Sequence, residues 1–387
     1  MATILPAKPA APSRARRRWL SETRLRALGA TAIGLALATL VVGTAWDTQW
    51  HVAVGRDRAL TAPHVMMLLG IALAGLVSLA LVLADTWRFR RGSEVSAANS
   101  RRVLGLFQAP SGLVLAGVGA LLAAIAFPLD DYWHTLYGID VTLWAPFHIM
   151  IVTSMVAAGI GALFLLAAEI RQAAAPRAQL GLELAFALGL AATWSTLLLL
   201  LPQANADDGL FGLGQTQLVW YPILLAGALP LAILPALRLT RLPAPASVVA
   251  LIVVGLRQLM FWFVPWAVET TRAAEGLVYR PNPPGNVITP HAFPLALLFL
   301  ALAIDGLAWA LRTSAQRPRL LLGATLAGAV LAGFLERPWI HSLTTYYFPS
   351  LDTGAALLNT MPLTALGALA GGGLALALNR GLAAAKH

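Results

Sequence analysis

The chain has 387 residues, of which 58% are hydrophobic and only 11% are charged, with a formal net charge of +10. Soluble domains carry roughly a quarter charged residues, so this composition excludes an ordinary soluble protein. Cysteine is absent, which excludes disulfides, thiolate ligands and cysteine nucleophiles. The excess of Lys and Arg does not indicate a nucleic-acid partner, because membrane proteins concentrate these residues in their cytoplasmic loops.

Apolar segments follow one another along the whole chain, and most are long enough to cross the ~30 Å hydrocarbon core of a bilayer as a helix. We therefore predict an all-α polytopic membrane protein built from repeated helix hairpins. A basic and disordered cytoplasmic tail, residues 1–26, is expected to precede an uncleaved first helix. The ten predicted transmembrane helices cover residues 27–46, 62–84, 111–129, 144–168, 179–201, 217–238, 245–266, 291–312, 319–335 and 355–378.

The loops between these helices alternate in charge. Because Lys and Arg mark the cytoplasmic side, the basic loops are predicted to be cytoplasmic, together with both termini. The intervening acidic loops then face the periplasm or the outside of a cell inner (plasma) membrane. The basic segments are residues 88–102, 171–177, 238–241, 312–319 and 379–387.

Two acidic loops contain the same arrangement of potential metal ligands. In "DTQWHVAVGRDRALTAPH", residues 47–64, Asp47 and His51 are four residues apart and share one face of a helix. His64 follows Pro63, a residue suited to the first turn of the next helix. A helix hairpin brings these two ends together, so two imidazoles and a carboxylate are expected to converge.

The second copy lies in "DDYWHTLYGIDVTLWAPFH", residues 130–148, where Asp130, His134 and His148 repeat the pattern after Pro146. Two histidines and one carboxylate form a common ligand set for copper, zinc or non-haem iron. A single histidine near a bilayer interface would more simply be a polar anchor, and we expect structural roles for His291 and His341. Tryptophans flanking the two segments are expected to be membrane-interface anchors. They are Trp46, Trp50, Trp133 and Trp144.

The chain also repeats itself at a distance. "TAPHVMMLLGIALAGL" (61–76) is echoed by "TPHAFPLALLFLALAI" (289–304), which suggests that the last four helices are a degenerate duplicate of the first four. The ligand-type residues are not retained in the second copy. The predicted organisation is a tail (1–26), a metal-site four-helix region (27–170), a two-helix connector (171–244), a four-helix region (245–378) and a second tail (379–387).

Over about residues 30–170, the chain resembles the C subunit of the copper membrane monooxygenases, the particulate methane and ammonia monooxygenases. The first segment is similar to a metal-site segment of that subunit in its acid, its Trp-His and Arg-Asp pairs, and its Thr/Pro approach to a second histidine. The second is similar to a ligand segment in which the family has Asn where this chain has Asp130. The matching residues are Asp47, Trp50, His51, Arg56, Asp57, Thr61, Pro63, His64, His134, Thr135 and His148.

The resemblance implies copper as the cofactor, ahead of zinc or iron, at both Asp/His/His groups. The first hypothesis is a monooxygenase-like oxidoreductase that activates oxygen toward a small apolar or amine substrate from the bilayer. Asp47, His51 and His64 would then be catalytic, with electrons from a quinol or other donor. The family implies additional subunits, and a homo-oligomer is the other expected assembly. The alternatives are a copper-handling, transport or assembly protein without turnover, and a membrane scaffold in which the groups are relics.

Overall fold

The computed structural model describes residues 14–55, 58–93, 100–138, 145–173, 175–200, 210–213, 216–283, 293–335 and 353–384. This part of the chain forms ten α-helices and two short antiparallel β-hairpins. The helices are α1 (Arg14–Ala53), α2 (Ala62–Arg90), α3 (Ser111–Tyr137), α4 (Pro146–Gln172), α5 (Pro176–Leu198), α6 (Trp220–Leu239), α7 (Pro245–Ala274), α8 (Phe293–Ala310), α9 (Arg317–Leu335) and α10 (Thr353–Ala384).

The helices confirm the predicted class of an all-α membrane protein. Within the described residues, eight of them are long and apolar enough to cross a membrane, and α8 contributes a shorter apolar stretch, Leu295–Ala310. How many helices span the bilayer, and on which side the termini lie, stay predictions. The eight candidate spans are α1 to α7 and α10.

Several helices extend further than hydropathy predicts, and in two of them the extension carries potential metal ligands. The predicted ends were residues 46 and 129, whereas α1 continues to Ala53 and α3 to Tyr137. The hydrogen-bond ladder of a helix does not stop where its side chains turn polar, so hydropathy marks lipid contact rather than the helix end. Both Asp-x-x-x-His pairs therefore lie inside regular helix.

The tail predicted to be disordered is helical from Arg14 onward, so this prediction is wrong for residues 14–26. Arg residues favour helix nearly as well as Ala does. In addition, the side chain of Arg26 is buried in the bundle, where it pairs with Asp85 on α2. The predicted boundary missed this tertiary contact.

Short strands occupy two segments. The first was predicted as a loop, whereas the second includes residues 217–219, the start of the helix predicted over residues 217–238. β1 (Arg101–Val103) pairs with β2 (Phe107–Ala109), and β3 (Leu210–Leu213) pairs with β4 (Thr216–Val219). The first hairpin is attached to α2, because Thr86 Oγ1 donates to the carbonyl oxygen of Gln108 (3.3 Å) and accepts from its backbone nitrogen (3.0 Å).

Small residues let the helices that carry the ligands approach one another closely. A Cβ atom at Gly70 of α2 would lie 2.7 Å from the carbonyl oxygen of Ala36 on α1. One at Gly119 of α3 would lie 2.7 Å from the backbone nitrogen of Ala158 on α4. Close approach of backbones at small residues is a usual source of helix association in membranes, where the hydrophobic effect between helices is weak.

Gly119→Ala is expected to lower the melting temperature and to loosen the α3–α4 pair that carries Asp130, His134 and His148. The added methyl group would overlap the backbone of α4, which cannot move like a flexible side chain. Gly117→Ala on the same helix is the matched control, since its methyl group would stand 3.5 Å from the Ser78 side chain. Because Ala favours helix over Gly by about 1 kcal/mol, the control should be neutral or stabilising. Equal melting temperatures for the two variants in detergent would contradict this account.

A second apolar cluster joins the end of α1 to α7, in the second half of the chain. Trp50 is fully buried and Trp46 is 9% exposed, and the Trp46 ring meets the edge of Phe263 at 5.6 Å. The prediction that these two tryptophans are membrane-interface anchors is therefore wrong. They pack inside the protein, because α7 covers the face of α1 that would otherwise contact lipid. Trp133 stacks on Tyr137 at 4.3 Å, and Trp144 lies outside the described residues.

Candidate metal centre

The first group of potential ligands, Asp47, His51 and His64, converges as the spacing predicts. Helix α1 supplies Asp47 and His51 one turn apart, and Pro63 in the first turn of α2 places His64 at its start. The Asp47 carboxylate lies 3.4 Å from His51 Nδ1 and 3.2 Å from His64 Nε2. The two imidazole rings are 6.1 Å apart. All three residues are buried or half-buried.

The second group, Asp130, His134 and His148, has the same architecture on α3 and α4. Asp130 Oδ2 lies 3.4 Å from His134 Nε2 and 3.0 Å from His148 Nε2. The two rings are 5.6 Å apart, and Pro146 starts the helix that presents His148. We call the two groups the first and the second trio. In each, one potential ligand atom from every residue lies within 4.8 Å of the others.

The hydrogen bonds of the outer ring nitrogens orient the inner nitrogens of His64 and His134 toward the aspartates. His64 Nδ1 lies 3.0 Å from the carbonyl oxygen of Arg58, and His134 Nδ1 lies 3.2 Å from that of Gly138. A carbonyl oxygen only accepts, so each Nδ1 carries the proton. Nε2 then faces an aspartate with its lone pair, and two lone pairs at 3.2–3.4 Å repel unless a proton or a metal ion lies between them.

The carboxylate oxygens of the two aspartates also bear on metal binding. Asp130 Oδ1 is buried and has no hydrogen-bond partner among the described residues, whereas the buried Asp47 Oδ1 has His64 Nε2 at 3.2 Å. Burying a charged oxygen without a partner is costly. Metal ligands about 2.0–2.1 Å from an ion stand roughly 3–4 Å apart, which the measured nitrogen–oxygen distances match. A histidine whose other nitrogen bonds to a carbonyl is also the usual arrangement in metal sites. The residues fit a metal ion.

The turn that carries the first trio is held by the second half of the chain. The backbone nitrogen of Arg280 donates to the carbonyl oxygen of Ala53 (2.9 Å), and its guanidinium donates to that of Gly55 (3.4 Å). Gly55 has φ +76°, and a Cβ there would collide with the guanidinium of Arg280. Next to Arg280 in sequence, Tyr279 donates a hydrogen bond to Glu269 (2.6 Å). Burial, and then this hydrogen bond, raise the pKa of the Tyr279 phenol, so the phenol stays a neutral donor.

The two trios border one pocket of about 170 Å³. His64 of the first trio and Asp130 and His134 of the second line it. Phe127 also lines the pocket, and its ring lies nearly perpendicular to the His64 imidazole at 5.5 Å. A molecule in this pocket can therefore contact both trios. The remaining lining residues are Arg58, Ala59, Asp131 and Thr135.

The structure brings the six predicted ligands together as two trios, and three of the six line one pocket. Sequence reasoning did not find the shared pocket, the carbonyl partners of the outer ring nitrogens, or the support from α7. The carbonyl oxygens carry no residue-type signal, and the other two features depend on packing between distant segments. Predicted residues outside the described part of the chain are Arg56, Asp57, Trp144, His291 and His341.

Fold and site together define an α-helical membrane protein with two His/His/Asp groups that could hold metal ions. No protein-family model, no curated protein and no solved structure matches this chain.

Proposed function

We propose that this protein is a copper-binding, monooxygenase-like oxidoreductase that activates oxygen toward a small apolar or amine substrate. The observation that carries the proposal is the convergence of two His/His/Asp trios beside one pocket, which His64, Asp130 and His134 line. The resemblance to the C subunit of copper membrane monooxygenases supports it. That resemblance falls on α1–α4, the helices that carry both trios.

Copper is the metal that the ligand chemistry favours. Two imidazoles and a carboxylate suit copper, zinc and iron, and divalent copper binds most tightly to such ligands in the usual order of affinities. A bound copper ion would supply the one-electron and oxygen chemistry. The chain's own residues hold it: neutral imidazoles oriented by Arg58 and Gly138 carbonyls, and one carboxylate per trio that offsets its charge.

The pocket restricts the substrate. Its volume of about 170 Å³ lies below the ~300–1,000 Å³ of sites for drug-sized ligands, which suits a small molecule. The Phe127 ring offers an apolar wall, and Asp131 offers a carboxylate that would pair with an ammonium group. Both proposed substrate classes find a partner there.

The proposal includes a location and partners. The trios would face the periplasmic or extracellular side of the inner membrane, with both termini cytoplasmic, in keeping with the alternation of basic and acidic loops. The catalytic role would fall to Asp47, His51 and His64. Electrons would come from a quinol or another external donor, and further subunits or further copies of the chain would complete the assembly.

The test is copper content and turnover of the same preparation. Protein purified in nanodiscs and loaded with copper is expected to retain one ion per trio by mass spectrometry, and to consume oxygen when a quinol and a small alkane or amine are supplied. A sample loaded with zinc instead is the matched control, because zinc has no redox chemistry. Copper without turnover would favour the copper-handling alternative, and a chain that retains no metal would refute the proposal.

A further inference from the structure

A cluster of buried charges lies at the opposite ends of the helices that carry the trios. Three helices repeat one spacing: Arg26 precedes Asp47 on α1, His64 precedes Asp85 on α2, and His148 precedes Glu169 on α4, by 21 residues in every case. At 1.5 Å per residue, this separation is about 30 Å, close to the thickness of the hydrocarbon core. We define the buried charge cluster as Glu22, Arg26, Asp85, Arg88 and Glu169.

Arg26 and Asp85 form the centre of this cluster and make a hydrogen-bonded ion pair. Asp85 Oδ2 accepts from Nε (3.1 Å) and Nη2 (3.0 Å) of Arg26, and the two side chains are 2% and 1% exposed. Arg88, which is less buried, reaches the other carboxylate oxygen of Asp85 at 3.5 Å. Two guanidinium groups therefore already compensate Asp85.

Glu169 is the member of the cluster without a cation of its own. It is 1% exposed, and its Oε2 is buried with no hydrogen-bond partner in the part of the chain that the structure describes. The other contact of the carboxyl group is with the Thr23 hydroxyl. Arg171, two residues further along α4, donates instead to the carbonyl oxygen of Leu382 on α10.

An ionised Glu169 would lie close to two other carboxyl groups. Glu22 and Asp85 are the acidic neighbours and Arg26 is the basic one, with Arg88 attached to Asp85. Glu22 is also buried, and it accepts a hydrogen bond from Ser93 Oγ (3.2 Å). An ionised Glu169 would therefore add a third carboxylate here, while its own buried Oε2 accepts no hydrogen bond within the described residues, and a buried charge of this kind is costly.

We propose that Glu169 binds a proton and is a neutral carboxylic acid in the folded protein. A proton is favoured over a metal cation, because two guanidinium groups in the cluster would repel a metal ion and also occupy the Asp85 oxygens that would have to coordinate it. The site is independent of the metal in the trios, so it stands or falls separately from the proposed oxidoreductase function. It gives the protein a proton-binding group at the end of the bundle away from the pocket.

Infrared difference spectroscopy of the full-length protein tests this directly. The carbonyl stretching band of a protonated carboxylic acid is expected in the wild-type protein at neutral pH and should shift when glutamate labelled with a heavy carbon isotope is incorporated. Glu169→Gln should remove the band, and Glu22→Gln should retain it. Absence of the band from the wild-type protein, or its loss in Glu22→Gln alone, would overturn the assignment without any bearing on copper.

Thermal unfolding supplies a second readout. Gln resembles a protonated Glu, so Glu169→Gln should match the melting temperature of the wild-type protein at acidic pH, where the carboxyl group is protonated in both the folded and the unfolded chain. At neutral and alkaline pH the variant should melt at a higher temperature than the wild-type protein, because the unfolded wild-type chain is then stabilised by releasing the Glu169 proton. Asp85→Asn should lower the melting temperature throughout, because it leaves Arg26 buried without its anion. A Glu169→Gln variant as destabilised as Asp85→Asn at every pH would show that Glu169 is an ionised partner of Arg26.

Discussion

Replacing His51 and His134 together by Ala is expected to remove all copper from the purified protein. Each change deletes one imidazole from a trio and leaves one histidine and one carboxylate. Loss of an outer partner of a metal ligand already costs roughly 10–100-fold in affinity, and loss of a ligand itself should cost more. Because the trios use separate residues, each single variant should lose one ion and keep the other.

Copper is measured by mass spectrometry after dialysis against a weak chelator. His387→Ala is the control, since it removes a histidine that belongs to neither trio, and it should retain the wild-type content. A melting temperature for the double variant close to that of the metal-free wild-type protein would show that the fold survives. Wild-type copper content in the folded double variant would mean that the ligands lie elsewhere in the chain.

His64→Ala is expected to abolish turnover while leaving the metal of the second trio in place. His64 lines the shared pocket and orients its Nε2 toward Asp47 through the bond to the Arg58 carbonyl. Without this imidazole the first trio cannot hold an ion beside the substrate. His148 does not line the pocket, so His148→Ala should empty the second trio and retain measurable turnover.

The charges around the two trios predict which trio binds its metal more tightly. Asp131 stands next to Asp130 and lines the same pocket, so two carboxylates are close to the second trio. Like charges that crowd one site favour a bound cation, which neutralises their repulsion. The second trio should therefore hold its metal more tightly and the first should be the reactive one. Loss of turnover in His148→Ala with the first trio still loaded, measured on the same sample, would reverse these roles.

Local rules were sufficient to predict both trios. A four-residue spacing on a helix places Asp47 beside His51, and Asp130 beside His134, whatever the rest of the chain does. A proline in the first turn of the following helix then places His64 and His148 at the start of that helix. The class of the fold is equally local, because about 20 apolar residues form a spanning helix independently of their neighbours.

Only the tertiary structure decided which helices pack against one another. Every feature that depends on burial was therefore decided there as well. Nothing local distinguishes Trp50 facing lipid from Trp50 packed against α7, because both environments are apolar. For the same reason, the sequence could not predict that Arg26 pairs with Asp85, or that Glu169 Oε2 has no hydrogen-bond partner among the described residues. Arg26 lies in a basic segment and Glu169 in an apolar helix, and neither pattern indicates a partner. The shared pocket likewise requires the first hairpin to pack beside the second, a contact between side chains far apart in sequence. Sequence periodicity determines the face on which a residue lies, and the packing of helices determines what that face meets.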